Sequence, residues 1–368
     1  MKAFLVIFSR IFVGVLFLIS GFIKLNDPTG FSFKLQEYFE VFHIGFLSPI
    51  AMVIGLFLLY LEVLLGILLL IGLWPKFTTK SLLALIVFFT FLTLFSAVTN
   101  KVTDCGCFGD ALKLTPWESF TKDIVLLVFI FLLFIWKDLI KPIFPSKINH
   151  GIAITSLIVC LGITYQVLNH LPMIDFRAYK VGTNITQGMQ IPEEAPKDEY
   201  EMIFVYEVNG VPTEFSYDQI MTGEYPQDAT FIDRKQKLIK EGYKPPVKDF
   251  SMERDGSNFA DNYLREPKLV MITSYDMTKA DTEALKMLGK FYNKALENNY
   301  KVIGLTGTDL NYVAGLQKEY GFYFDFYFCD PTTVKTIERA NPSIVVLHRG
   351  TIVKKVHWKD AKKVFEAF

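Results

Sequence analysis

The chain has 368 residues, 51% of them apolar, and its 38 Lys+Arg balance 38 Asp+Glu for a formal net charge of zero. Residues 1–171 carry 12 basic and 9 acidic side chains and the remainder 26 and 29, so an apolar half is joined to a polar one and a single water-soluble globule is excluded. Neither half has the net charge of a nucleic-acid binder, and four cysteines are too few for a disulfide-dense secreted scaffold.

Spanning a bilayer takes about 20 mostly apolar residues per helix. Segments 3–23, 49–73, 81–98, 116–136 and 152–171 meet that need. The first has a long apolar run and is followed by further spans, so it reads as a retained helix and not a signal peptide. Residues 26–48 are too polar to span. Within them FSFKLQEYFEVF has near-helical apolar spacing and reads as a packed connecting helix, with a surface-lying helix as the alternative. Lys2, Lys76, Lys80, Lys137, Lys141 and Lys147 fall on one side of these spans, which sets the N-terminus in the cytoplasm. Five spans then carry everything after residue 171 to the far side. The expected location is a bacterial inner membrane, multi-pass in lipid, with the C-terminal half in the periplasm. Four spans plus an interfacial segment would instead leave that half in the cytoplasm.

Ionisable side chains within spans are costly and call for partners. Arg10 lies about two turns into the first helix and Glu62 near the middle of the second, which runs the other way. The expectation is an intramembrane Arg10–Glu62 ion pair. The alternative is an Arg10 that snorkels to the surface and a lone protonated Glu62.

Between the third and fourth spans stands Asp104-Cys105-Gly106-Cys107-Phe108-Gly109-Asp110, followed by Thr115-Pro116-Trp117-Glu118 with capping-box spacing. Cys105 and Cys107 thus sit just above a helix entrance. Thiols outside the cytoplasm tend to oxidise, and a strained, exposed disulfide is the labile kind. Three readings stay open here: a redox-active pair, a structural loop staple, and a metal site. No metal is expected, because a second cysteine pair and a nearby histidine are both missing from a zinc set, with His43 distant in the chain.

The residues Arg10-Ile-Phe-Val-Gly14, Ser20-Gly-Phe-Ile-Lys24, Asp27-Pro28, Glu62-Val-Leu-Leu-Gly66 and Cys105-Gly-Cys-Phe-Gly109 together resemble the DoxX/MauE superfamily over residues 1–140 or so. The resemblance implies a four-helix membrane bundle over 1–145, to which residues 146–176 add a fifth helix and tether. It also implies work associated with disulfide maturation, with a quinone as the candidate electron acceptor and no other cofactor.

In the polar half, 201–208 and 211–216 alternate around Asn209-Gly210, a hairpin signal. Residues 236–242 suggest a short helix closed by glycine, and 177–246 form a small β-rich element. From 247 to 368, strands at 268–273, 300–305, 322–328, 343–347 and 351–357 alternate with helices at 278–298, 309–320, 331–339 and 359–368. That order implies an α/β domain with a mixed sheet. With Asn341-Pro342-Ser343-Ile344-Val345-Val346-Leu347 and Gly350, it resembles the thioredoxin fold of the TlpA-like and peroxiredoxin-like branch. The resemblance implies a cis Asn341–Pro342 bond beside a binding groove. The chain departs from that family where its active-site cysteines belong, since Ser274-Tyr275-Asp276-Met277-Thr278 has no sulfur. Cys329 reads as a small buried apolar residue or an accessory thiol for Cys105 and Cys107, and Cys160 as a packed or lipid-facing residue.

The fold class expected is therefore a membrane α-helical bundle followed by an α/β thioredoxin-like domain lacking CxxC. The function expected is thiol–disulfide chemistry through Cys105 and Cys107 on a periplasmic client. Its alternative is a non-enzymatic scaffold for an envelope complex.

Overall fold

The computed structural model describes residues 1–102 and 106–365, which fall into two compact units, Met1–Thr183 with Ser251–Phe368, and Asn184–Phe250. The first unit opens with α1 (Lys2–Asn26). Asp27 breaks the helix, and its side chain accepts from Gly30 N at 2.9 Å to start α2 (Pro28–Val41), with proline at the first position. A 3₁₀ turn at Gly45–Ile50 leads into α3 (Ala51–Ile71), which Gly72 closes in the left-handed conformation at φ 70°. Next come α4 (Pro75–Thr99), α5 (Pro116–Ile135) and α6 (Ser146–Asn169).

Among the described residues, four helices have the length and apolarity to cross a membrane: α1, the Gly45–Ile71 stretch, α4 and α6. The sequence reading counted five. The difference is α5, which forms where expected but carries Glu118, Lys122 and Asp123 in its first two turns. Asp123 is turned inward, 1% exposed, paired with Lys122 and accepting from Thr93 Oγ1 at 3.0 Å. The rest of α5 packs Leu126, Ile130 and Leu133 into the same core as Val13 and Phe17 of α1, Leu65 and Leu69 of α3, and Leu82 and Ile86 of α4. Phe4, Ile11, Val53, Phe57, Phe91 and Ile158 are exposed apolar side chains, as suits faces turned to lipid. The α2 helix buries Phe31, Leu35 and Phe39 against Leu25, Leu59 and Val63, so it is a packed connection.

The second unit contains α7 (Ile185–Met189), β1 (Glu199–Val208), β2 (Val211–Ser216), α8 (Tyr217–Thr222) and β3 (Thr230–Lys240) in an antiparallel sheet of order β2-β1-β3. Asn209 and Gly210 both take positive φ, as the tightest hairpin turn requires. The short helix expected at 236–242 does not form. Its first residues extend β3, where Lys240 pairs with Glu199 of β1 at 3.1 Å beside the ladder and Lys235 reaches across β1 to Glu214 of β2 at 2.9 Å. Pairing with a neighbouring strand overrides the local helical pattern.

The remainder of the first unit is a C-terminal lobe. It holds β4 (Glu253–Arg254), β5 (Ser257–Asn258), α9 (Ala260–Leu264), β6 (Leu269–Ser274), α10 (Thr282–Glu297), β7 (Lys301–Thr306), α11 (Leu310–Tyr320), β8 (Phe326–Phe328), α12 (Pro331–Ile337), β9 (Ser343–His348) and β10 (Thr351–His357). Its sheet runs β10-β9-β6-β7-β8-β4-β5, with β6, β7 and β8 parallel and β9 antiparallel to β6. Every residue of β6 is buried, the mark of a central strand covered on both faces. One face packs on α10 and α11 through Leu285, Leu288, Phe291, Val313 and Leu316. The closing helix expected over 359–368 is a 3₁₀ turn at Trp358–Val364.

Candidate functional site

Two charged side chains of the bundle take partners other than those expected. Arg10 does not meet Glu62. Its guanidinium donates to Leu69 O at 2.8 Å, Leu70 O at 2.7 Å and Lys141 O at 3.0 Å. The first two are last-turn carbonyls of α3 at the negative end of the helix dipole, and Leu69 O also accepts from Gly72 N at 3.2 Å. Glu62, farther from that end, pairs instead with Lys24 at 2.5 Å, and both side chains are 5% exposed or less. Lys24 Nζ also faces the rings of Phe31 and Phe89 at 5.4 and 5.2 Å. Lys24 stands in the Ser20–Lys24 pattern, but nothing local in the chain marks it as the partner of Glu62.

Cys107 borders the same small cavity as this pair. It is half-buried, and its carbonyl accepts from Ser20 Oγ at 2.8 Å. Gly106 and Gly109 hold the loop at φ 65° and 51°, where a side chain would be strained. Cys105 lies outside the described residues. Gly106 separates two cavities. Beneath it, a space of about 40 Å³ is bounded by Cys107, Ser20, Lys24, Glu62, Lys122 and Asp123. Above it, a polar cavity of about 250 Å³ is bounded by Lys34, Asp27, Asp110, Asp175, Thr336 and Arg339, among others.

The upper cavity is roofed by the C-terminal lobe, which is fixed by charge. Arg339, at the end of α12, donates to Asp27 Oδ2 and Asp110 Oδ2, both at 2.7 Å. Behind it, Arg177 takes Asp175 through two bonds of 2.7 and 3.0 Å and Glu338 at 3.2 Å, while Lys355 reaches Asp175 at 2.6 Å and Glu338 at 3.4 Å. Burial alone would raise the Asp175 carboxyl, but Lys355 and Arg177 outweigh it and hold it at about 2. The same two cations hold the fully buried Glu338 below the ordinary range against its desolvation. Two further links join the parts: Asn26 exchanges two hydrogen bonds with the Ile174 backbone, at 2.7 and 3.0 Å, and His170 meets Asp360 at 2.6 Å.

The Asn341–Pro342 peptide is cis. Asn341 donates to Asp276 O at 2.7 Å and accepts from Ser274 Oγ at 2.6 Å, which fixes the cysteine-free segment beside it. That segment faces α2: the Tyr275 ring meets Phe33 edge-on at 5.3 Å, and Lys335 Nζ stands 4.7 Å over Phe33. Cys329 is fully buried, and burial pushes its thiol up to about 12. Such a thiol holds its proton at neutral pH, so its surroundings suit a small core residue and give the accessory-thiol role no support. Cys160 is likewise packed, beside Leu59 and Val63.

A membrane-embedded helical bundle with a cysteine loop at one end and a clamped α/β lobe over it defines the class of protein. The comparisons agree on the membrane bundle. Residues 2–136 match the family described as Methylamine utilisation protein MauE, and residues 200–241 match a domain of unknown function (DUF8463) that coincides with the β1–β3 sheet. The chain is 32% identical over 133 residues to Protein TlpB of Flavobacterium psychrophilum. That match spans 34% of this chain and 35% of the relative, about a third of its length. No solved structure matches the chain.

Proposed function

We propose that this chain is a membrane-anchored thiol–disulfide redox protein whose exchanging pair is Cys105 and Cys107, acting on the periplasmic side of a bacterial inner membrane, with α5 counted as a fifth span because it packs in one core with α1, α3 and α4. The observation that carries the reading is the position of Cys107, half-buried on the small cavity it shares with the buried Lys24–Glu62 pair, while its neighbour Gly106 borders the larger polar cavity as well. Similarity to the MauE family and to Protein TlpB supports a membrane-associated thiol role. The C-terminal lobe acts as a thioredoxin-like domain without its own thiol chemistry, and its part is to cover and position. In the reaction a client thiolate attacks the Cys105–Cys107 disulfide and forms a mixed disulfide. A second client thiolate displaces the cysteine, so the client is oxidised by two electrons and the loop becomes a dithiol.

A quinone is the two-electron acceptor that the family resemblance implies for reoxidising the loop. The cavity below Cys107 does not fit one. At about 40 Å³ it suits two or three waters, given that a cavity needs roughly 10–15 Å³ per water on this measure. No step is therefore routed through a quinone here.

The test is the thiol status of extracytoplasmic proteins in cells carrying Cys107→Ser. Accumulation of reduced client thiols is expected, and an unchanged thiol profile would sink the reading. A second reading, a non-enzymatic scaffold with a structural cysteine loop, is favoured by the sulfur-free Ser274–Thr278 segment pressed onto α2. A cysteine-free variant that keeps full function and a stoichiometric envelope partner would decide for it.

A further inference from the structure

We propose that a further cavity, between α2 and the C-terminal lobe, binds the headgroup of a zwitterionic membrane phospholipid that carries a primary ammonium, of the phosphatidylethanolamine type. The site is independent of the thiol reading, since no described cysteine lines it.

Three observations carry it. The first is its place in the fold. The cavity is about 720 Å³, within the roughly 300–1,000 Å³ of small-molecule sites. One wall is formed by Tyr275 and Asp276, just after β6, and by Gly307 and Thr308, just after β7. These are the carboxyl ends of parallel strands, outside which open α/β sheets place their ligands.

The second is charge. Lys279 and Asp276 satisfy each other at 2.8 Å. The other two charged side chains of the wall, Lys335 and Glu40, have no ion-pair partner among the described residues, nor do they meet each other. Lys335 is half-buried, with Nζ 4.7 Å over the Phe33 ring and 5.9 Å over Tyr275. The rings hold the ammonium but offer no oxygen, and a lysine so placed is a point-charge partner for phosphate. Across the cavity, Glu40 and Gln36 stand one turn apart on α2 and supply acceptor oxygens. Those suit a primary ammonium, which has N–H donors, and not a quaternary one, which has none.

The third is the membrane. Ser48 and Pro49 line the cavity and belong to the Gly45–Ile71 stretch that can cross a bilayer. Phe46, Ile50, Val53 and Phe57 of that stretch are exposed. The polar wall is thus continuous in the chain with an apolar surface that acyl chains would cover, which favours a lipid over a soluble zwitterion.

The experiment uses delipidated full-length protein in detergent, titrated with dioleoyl-phosphatidylethanolamine, dioleoyl-phosphatidylcholine or dioleoyl-phosphatidylglycerol, with bound lipid counted by native mass spectrometry. One phosphatidylethanolamine per chain should bind about tenfold more tightly than either other lipid. Lys335→Ala should weaken it about tenfold, and Lys335→Arg, which keeps the charge, should retain it and guards against misfolding of the alanine variant. Glu40→Gln should remove the preference over phosphatidylglycerol by weakening phosphatidylethanolamine alone. Glycerophosphoethanolamine, the same headgroup without acyl chains, should compete about a hundredfold less well than the lipid. Equal binding of the three lipids, or a preference untouched by both Lys335→Ala and Glu40→Gln, would overturn the proposal. Competition by glycerophosphoethanolamine as strong as that of the lipid would assign the site to a soluble zwitterion and overturn it too.

Discussion

Arg339, at the end of α12, and Asp27, the residue that caps α2, meet at 2.7 Å although 312 positions separate them in the chain. One carboxylate thus serves two elements: its Oδ1 starts a helix by accepting from Gly30 N, and its Oδ2 receives the lobe. Asp27→Asn should keep most of the cap, since asparagine caps as well as aspartate, and lose the charge-assisted bond to Arg339, worth about 1.5–3 kcal/mol. Hydrogen exchange should report this as faster opening at the α12 end with α2 little changed. Equal loss in both helices would mean that the cap, not the clamp, is the main role of Asp27.

The Lys24–Glu62 pair makes a sharper claim, because it replaces the Arg10–Glu62 pair expected from depth alone. Lys24→Met leaves a buried carboxylate unpaired and should cost about 3–5 kcal/mol, whereas Lys24→Met with Glu62→Leu should recover most of that loss. Arg10→Met should destabilise through the α3 carbonyls it abandons and show no such recovery with Glu62→Leu. Thermal unfolding of these variants in detergent, arranged as two double-mutant cycles, gives the answer. A coupling energy for Arg10–Glu62 as large as that for Lys24–Glu62 would contradict the structure.

Acid should weaken the C-terminal lobe in two stages. Burial first, and the nearby Lys359 charge second, push His357 down to about 4, and its Nδ1 accepts from Lys359 N at 3.1 Å. A folded pKa below the ordinary 6.5 means that the unfolded chain binds a proton that the folded lobe refuses. Stability is therefore lost as pH falls from about 6.5 to about 4, by roughly 3 kcal/mol in total. Asp175, held at about 2, then loses its contribution of roughly 2 kcal/mol as pH falls from about 4 to about 2. His357→Asn keeps an acceptor for the cap and should flatten the first stage alone. Denaturant midpoints measured across the range would show it, and an unaltered first stage in this variant would assign that stage elsewhere.

Which parts of this arrangement were readable in the chain depends on whether the cause was local. Apolar runs set the helices, and Thr115 with Glu118 set the start of α5, because those signals lie within one turn. The strands of the lobe were readable because β6 and β9 are continuous apolar runs. The partner of Arg10 was not, since it depends on how far α1 slides along α3, and that register is set where the helices cross. The clamp was invisible for the same reason, its two carboxylates being 312 and 229 residues from Arg339. The segment 236–242 misled because a strand exposed along its whole length carries no alternation of buried and exposed residues, and only the ladder to β1 decides its form.

The crossing that sets the α1–α3 register can be tested directly. A Cβ on Gly66 would stand 3.1 Å from Gly14 O and 3.2 Å from Phe17 Cβ, and one on Gly14 would stand 2.5 Å from a Leu70 side-chain atom. Backbone on the far side cannot swing away as a long side chain can. Gly66→Ala should therefore separate the helices and cost about 1–3 kcal/mol, in the range of an overpacked core. Gly151, in α6, has nothing within 4 Å of its Cβ position, so Gly151→Ala should be neutral or stabilise by up to about 1 kcal/mol through helix propensity. The wider consequence concerns Lys24 and Glu62, which meet only while this register holds. Gly66→Ala should thus also lower the Lys24–Glu62 coupling energy, and Gly151→Ala should leave it intact. Melting of Gly66→Ala no lower than that of Gly151→Ala would show that the close crossing does not set the register.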